Sequence, residues 1–98
     1  MYIINITVNA DISAGQHDTL FPQHVAWFKK YFDAGKFVVI GPYTDHERAG
    51  VIIAQTENRA ELETILREDS YYPDLAQYEV REFTPKMIAA DLQNFLVG

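Results

Sequence analysis

The sequence predicts an α+β fold of order β-α-β-β-α-β: a four-stranded antiparallel sheet, two helices on one of its faces, and a C-terminal helix beyond. Three observations predict it. Four short segments rich in Ile, Val, Thr and aromatics, at 2–8, 36–43, 49–56 and 75–84, read as strands. Two stretches with helical spacing of apolar residues fall after the first and third of them. The break between the second and third, TDHER at 44–48, is only an exposed turn, so those strands form a hairpin. This order is the split βαβ, or ferredoxin-like, arrangement.

Each element has its own warrant. Residues 2–8 alternate in part and are rich in Ile, Val and Thr, and NADISAG at 9–15 is turn chemistry. Asp18 or Thr19 can cap the first helix, with Pro22 in or near its first turn and Gly35 closing it. Phe21, Val25, Phe28 and Phe32 form one apolar stripe, which suits the sheet. Leu20, Trp27 and Tyr31 form a second, free to meet a partner or ligand. KFVVIGPY at 36–43 has a continuous apolar centre, as in a strand buried on both faces, and Gly41-Pro42 ends or bends it. Asn58 and Glu61 match a capping box ahead of a short helix that turns Leu62, Ile65 and Leu66 inward. DSYYP at 69–73 is an irregular aromatic connection. LAQYEVREFT at 75–84 alternates as a fourth strand until Pro85 stops it, and Ile88, Leu92, Phe95 and Leu96 predict an amphipathic helix over 86–97.

Length and composition bound the function. At roughly 100–200 residues per domain, 98 residues make one domain, 1–98, with 86–98 as its helical extension. A net charge of −6 argues against nucleic acid and against an anionic membrane surface as partners. The absence of cysteine removes thiol catalysis, disulfides and thiolate zinc sites, and fits a cytoplasmic protein. The N-terminus has no basic region ahead of an apolar one, and no apolar run approaches the ~20 residues of a membrane span. The second face of the sheet is expected to be open and apolar, and a second copy packing sheet to sheet, as in a dimeric α/β barrel, would cover it.

Three histidines are the candidates for chemistry. His24 takes a boundary position on the first helix, beside Leu20, Trp27 and Tyr31. It is either a half-buried ring bonded to backbone or a general base or acid at a pocket rim. A base needs a carboxylate to orient it. Of the candidates, Asp69 stands at the end of the second helix, where the macrodipole disfavours a carboxylate unless something compensates. It is either solvated there or the partner of His24. His17 lies at or just before the helix start and His46 in the hairpin turn. His17 and His24 are seven apart, so they can share a helix face, but no third ligand has a telling spacing and no metal site is expected. Neither serine sits in a nucleophile turn, and there is no glycine-rich phosphate loop.

Four pieces, PQHVAWFKKYFDAGKFVVIGP, AGVIIAQTENRAELETIL, REDSYY and QYEVREFTP, together resemble the YCII-related family of small dimeric α/β-barrel proteins. The resemblance implies a ferredoxin-like fold, a dimer formed through the sheets, and a site made by a histidine on the first helix and an aspartate after the second. His24, within P-x-H-x-x-W, matches the histidine, and Asp69 matches the aspartate. The family follows that aspartate with proline, whereas this chain has Ser70. The family's Gly-Pro after the second strand is matched by Gly41-Pro42. YYPDLAQYEVREFTP is also similar to the end of muconolactone isomerases, which share the barrel. One branch of the YCII-related family is similar to enzymes that remove chloride from chlorinated hydroxyquinols with such a pair.

These readings give three expectations. The first is a cofactor-free enzyme in which His24 moves a proton in a lyase- or isomerase-type step on a small cyclic or unsaturated compound. Asp69 orients it, Trp27, Tyr71 and Tyr72 wall the pocket, and Gly41 and Pro42 help bind the substrate. The second is a non-catalytic binding or regulatory barrel of two or more copies. The third, a cofactor-independent oxygenase, has no residue that demands it.

Overall fold

The computed structural model describes residues 1–96. Val97 and Gly98, at the end of the expected tail helix, lie outside the described residues. Strand β1 (Tyr2–Val8) is central, pairing antiparallel with β3 (Ala49–Ala54) on one side and β4 (Ala76–Glu82) on the other. Strand β2 (Phe37–Pro42) pairs antiparallel with β3, giving the order β2-β3-β1-β4. Helices α1 (Ala14–Asp33) and α2 (Arg59–Leu66) complete β-α-β-β-α-β, the ferredoxin-like arrangement.

Alternation fixes which face is covered, because successive side chains of a strand point to opposite faces. Tyr2, Ile4 and Ile6 are buried with Ile52 and Ala54 of β3, and they share one core with Trp27 of α1 and Leu62, Ile65 and Leu66 of α2. The opposite face differs from the uniformly apolar surface expected. It is apolar where Ile3, Val39, Val51 and Ile53 meet, but Gln77, Glu79 and Arg81 make it polar along β4. Strand β2 is not buried on both faces either. It is an edge strand with an irregularity between Phe37 and Val39, and Val38 is 44% exposed.

Helix α1 starts earlier than expected, capped by Ser13 and not by Asp18 or Thr19. The Ser13 hydroxyl accepts from the Gln16 N–H at 3.1 Å, and the Gln16 side-chain oxygen accepts from the Ser13 N–H at 3.3 Å. This reciprocal pair satisfies two otherwise orphaned donors, which Asp18 alone could not do. Pro22 consequently sits inside the helix and not in its first turn. At the other end Gly35, at φ +78°, closes a Schellman motif, with the Lys36 N–H donating to the Tyr31 carbonyl and the Gly35 N–H to that of Phe32.

The two apolar stripes of α1 do not keep the roles expected of them, although Phe28 of the first does pack on the core. Trp27 is 5% exposed and Leu20 and Tyr31 pack on the core, whereas Phe21 and Phe32 are 45% and 53% exposed. Asn58 caps α2 through the Glu61 N–H as expected, but the Glu61 carboxylate reaches the Glu57 N–H instead of that of Asn58. The C-terminal helix is absent from the described residues. Beyond β4 the chain runs irregularly to a single 3-10 turn, Leu92–Phe95. Met87, Ile88, Leu92, Phe95 and Leu96 are all exposed, so the helical stripe meets no apolar partner among the described residues, and packing is what sustains a helix this short.

Candidate active site

Phe21 and Phe28 of the first stripe line a cavity of about 860 Å³ between α1 and the β2–β3 hairpin, and Phe28 also packs against the core. Gly41 and Pro42 of β2 and Ile52 of β3 also line it, and the 44–48 turn contributes to its wall. His17 and His24 line it from α1, and Tyr71 from the α2–β4 connection. Positions 17 and 24 are seven residues apart, two turns of helix, so they share a side of α1.

His24 and Asp69 meet. The His24 Nδ1 lies 2.6 Å from Asp69 Oδ1, and the carboxylate is fully buried while the imidazole keeps 14% exposure. The second oxygen, Oδ2, accepts a hydrogen bond from the Tyr78 hydroxyl at 2.5 Å. The buried carboxylate therefore has a donor on each oxygen, which compensates for its place just beyond α2. A carboxylate on Nδ1 holds the ring proton there, so Nε2 carries the lone pair of the neutral ring. Ser70, standing where the family resemblance implies proline, donates its hydroxyl to the Leu20 carbonyl at 2.8 Å and ties the Asp69 turn to α1.

The other expected site residues divide. Tyr71, Gly41 and Pro42 line the cavity. Trp27 does not: it is buried beneath His24, with ring centroids 5.5 Å apart, and its indole N–H donates to the Ile65 carbonyl at 2.8 Å. Tyr72 does not either. Its ring packs edge-on against Tyr78, and it lines a separate hollow with Arg59, Glu63 and Gln77. Trp27 was expected on a ligand-facing stripe, but its size and single donor suit a core position with a carbonyl in reach.

Three site residues have roles that the sequence reading does not give. Tyr78 is one; its alternation with Ala76 and Val80 places it on the covered face of β4 but does not disclose its reach to Asp69. His17 is the second, with its Nδ1 2.7 Å from the Tyr71 hydroxyl. Arg48 is the third. It lines the cavity at φ +52°, and its guanidinium donates to the Ile12 carbonyl at 2.7 Å.

Burial, the hydrogen bond to Asp69 and the charge of Asp69 push the Tyr78 phenol far above its ordinary range. Burial pushes Tyr71 up as well, with Asp69 adding and Arg48 opposing. Both phenols are protonated donors throughout the neutral range. A raised phenol favours the fold while protonated, and that contribution is present below the unfolded value of about 10 and lost as pH climbs above it. Thermal melts from pH 8 to 11 are therefore expected to show a falling Tm above about pH 10, with a shallower fall in Tyr78→Phe. An equal slope in both proteins would remove Tyr78 as a cause.

Among the described residues no group of three or more His, Asp or Glu side chains is placed to hold a metal ion, and no helix is long and apolar enough to cross a membrane. No curated protein matches the chain. A family model does: the YCII-related domain matches residues 1–84, a span that contains both helices, all four strands and the His24–Asp69 pair. With that match over most of its length, the chain belongs to the YCII-related family.

Proposed function

We infer that this YCII-related chain is an enzyme that uses His24 as a general base on a small cyclic or unsaturated compound, in a lyase- or isomerase-type step without a cofactor. The observation that carries the reading is the 2.6 Å contact between His24 Nδ1 and a fully buried Asp69 carboxylate at a cavity wall. That pairing presents an Nε2 lone pair to the cavity and stabilises the imidazolium that forms when the ring takes a proton. Phe21, Phe28, Ile40, Pro42 and Ile52 give the cavity an apolar side, opposite the polar 44–48 turn, and suit a small substrate with a largely nonpolar body. The reading includes a dimer. The half-buried Ile3, Val39, Val51 and Ile53 on the open sheet face support a second copy of the chain as its cover. Composition, with no cysteine, supports a cytoplasmic setting.

The test is deuterium incorporation from D₂O into small cyclic ketones and lactones, followed by proton NMR. His24→Ala is expected to lower the enzyme-dependent rate by about 10²–10⁴-fold, the usual worth of a positioned base. Asp69→Asn is expected to lower it as well. Variants that exchange as fast as the native chain would sink the base role and favour a binding or regulatory module. In that case His24→Ala would lower Tm and leave ligand affinity unchanged.

A further inference from the structure

The cavity holds a second imidazole whose protonation is set in the opposite sense to that of His24. Tyr71 is fully buried, and a buried hydroxyl must give its proton to an acceptor. Among the described residues its one hydrogen-bond partner is His17 Nδ1, at 2.7 Å. The phenol donates, so Nδ1 of His17 accepts, and the ring proton of the neutral imidazole is on Nε2. At His24 the acceptor is the buried Asp69 carboxylate, so the proton is on Nδ1 and Nε2 is bare. No hydrogen bond from the described residues reaches either Nε2. Two imidazoles from one side of α1 thus line one cavity, one with a lone pair and the other with an N–H. Both pack against the Tyr71 ring, with centroids 5.9 Å from it for His17 and 5.4 Å for His24.

We propose that His17 is a second catalytic group of this cavity: its Nε2–H, held in place by Tyr71, donates to the oxygen of a small enolisable carbonyl compound while His24 removes the proton from the adjacent carbon. The assignment rests on the base role of His24 given above and names the substrate class that the pair of tautomers would take. In the step, the C–H bond breaks and its proton goes to His24 Nε2. Its electron pair forms the C=C bond of an enolate, and the carbonyl π pair moves to the oxygen that His17 faces. The proton then returns from His24 to the same carbon, giving exchange, or to the conjugated carbon of an unsaturated ketone or lactone, giving isomerisation. No other reagent is consumed. A neutral imidazole donor suits an oxygen on which charge only develops, because it stabilises the enolate without protonating the base beside it. Arg48 lines the same cavity and adds positive charge near Tyr71, and Asp45 and Glu47 of the same exposed turn line it too.

The test uses 4-nitrophenol as an enolate mimic, since its phenolate absorbs in the visible and its phenol does not. Bound to the native chain, it is expected to shift toward phenolate by about tenfold relative to free probe, the worth of one hydrogen bond to a charged oxygen. His17→Phe, which keeps a ring but no nitrogen, is expected to abolish the shift. Tyr71→Phe, which keeps the buried ring but frees the His17 tautomer, is expected to reduce it. Two-bond ¹H–¹⁵N spectra of the native chain give an independent readout that does not need the variants to fold, with Nε2–H expected at His17 and Nδ1–H at His24. A shift that persists in His17→Phe and vanishes in His24→Ala would overturn the role of His17 and leave the base standing. Absence of any shift in the native chain, or an Nδ1–H tautomer at His17, would overturn it too. Failure of the base itself is read separately, in the deuterium exchange of His24→Ala.

Discussion

Asp69→Ala is expected to destabilise the fold far more than Asp69→Asn. The carboxylate is fully buried and both of its oxygens are engaged, one by His24 and one by Tyr78. Alanine leaves the Nδ1–H and the phenol without an acceptor, and each buried donor so orphaned costs on the order of 1–3 kcal/mol. The sum lies in the upper range of single substitutions. Asparagine keeps the shape and one acceptor oxygen, and the Tyr78 hydroxyl can rotate to accept from its amide. It therefore separates the two roles of Asp69: the hydrogen bonds that hold the fold survive while the charge that stabilises the His24 imidazolium is lost. Urea unfolding at neutral pH checks this, with a midpoint loss in Asp69→Ala several times that in Asp69→Asn. Equal losses would mean that charge, not hydrogen-bond geometry, is what the site requires.

Trp27→Ala is expected to be the most damaging substitution on α1. The indole fills the space between His24 and Phe37, with centroids 5.5 and 5.2 Å away, and bonds the last turn of α2 through Ile65. Truncating a buried aromatic to alanine costs about 3–5 kcal/mol, and in a domain of this size each kcal/mol lowers Tm by about 4–8 °C. Phe32→Ala on the same helix is expected to change Tm little, since that ring is more than half exposed. Trp27→Phe isolates the lost N–H···O bond and should fall between them. Differential scanning calorimetry ranks the three. A Phe32→Ala loss equal to that of Trp27→Ala would mean that the Phe32 stripe is covered in solution.

The contrast between Trp27 and Phe32 marks where the sequence stops being legible. Element order, the hairpin at 44–48 and the inward face of α2 follow from local chemistry: period, turn residues and caps. The choice between two apolar stripes on α1 is not local. Both are apolar, and a cavity beside the sheet takes up part of one of them, which no spacing records. The tail after Pro85 fails for the converse reason, because its spacing is helical but the packing partner that would make it a helix is absent from the described residues. Of the site, His24 is legible as a boundary residue and Asp69 as an acid in need of compensation, and the family resemblance supplies the pairing. His17 is legible as a histidine that can share a helix face with His24, but its bond to Tyr71 is not, and the Ser13 cap is what places it within the helix. Tyr78 and Arg48 arrive from a strand and a turn far along the chain, and only the fold brings the one to Asp69 and the other to the cavity.

Among the hydrogen bonds that join α1 to the connection before β4, three stand beside the cavity: His24 to Asp69, Ser70 to Leu20, and Tyr71 to His17. They span 45, 50 and 54 positions of the chain. Each closes a long loop, whose entropy must be lost before the contact repays it. No local segment can preassemble this cavity. A refolding chain gains helix and hairpin signals from contacts close in sequence, but it gains the cavity only when the α2–β4 connection docks on the first helix. Ligand binding therefore serves as a clock for the last long-range step of folding, distinct from any clock that counts secondary structure.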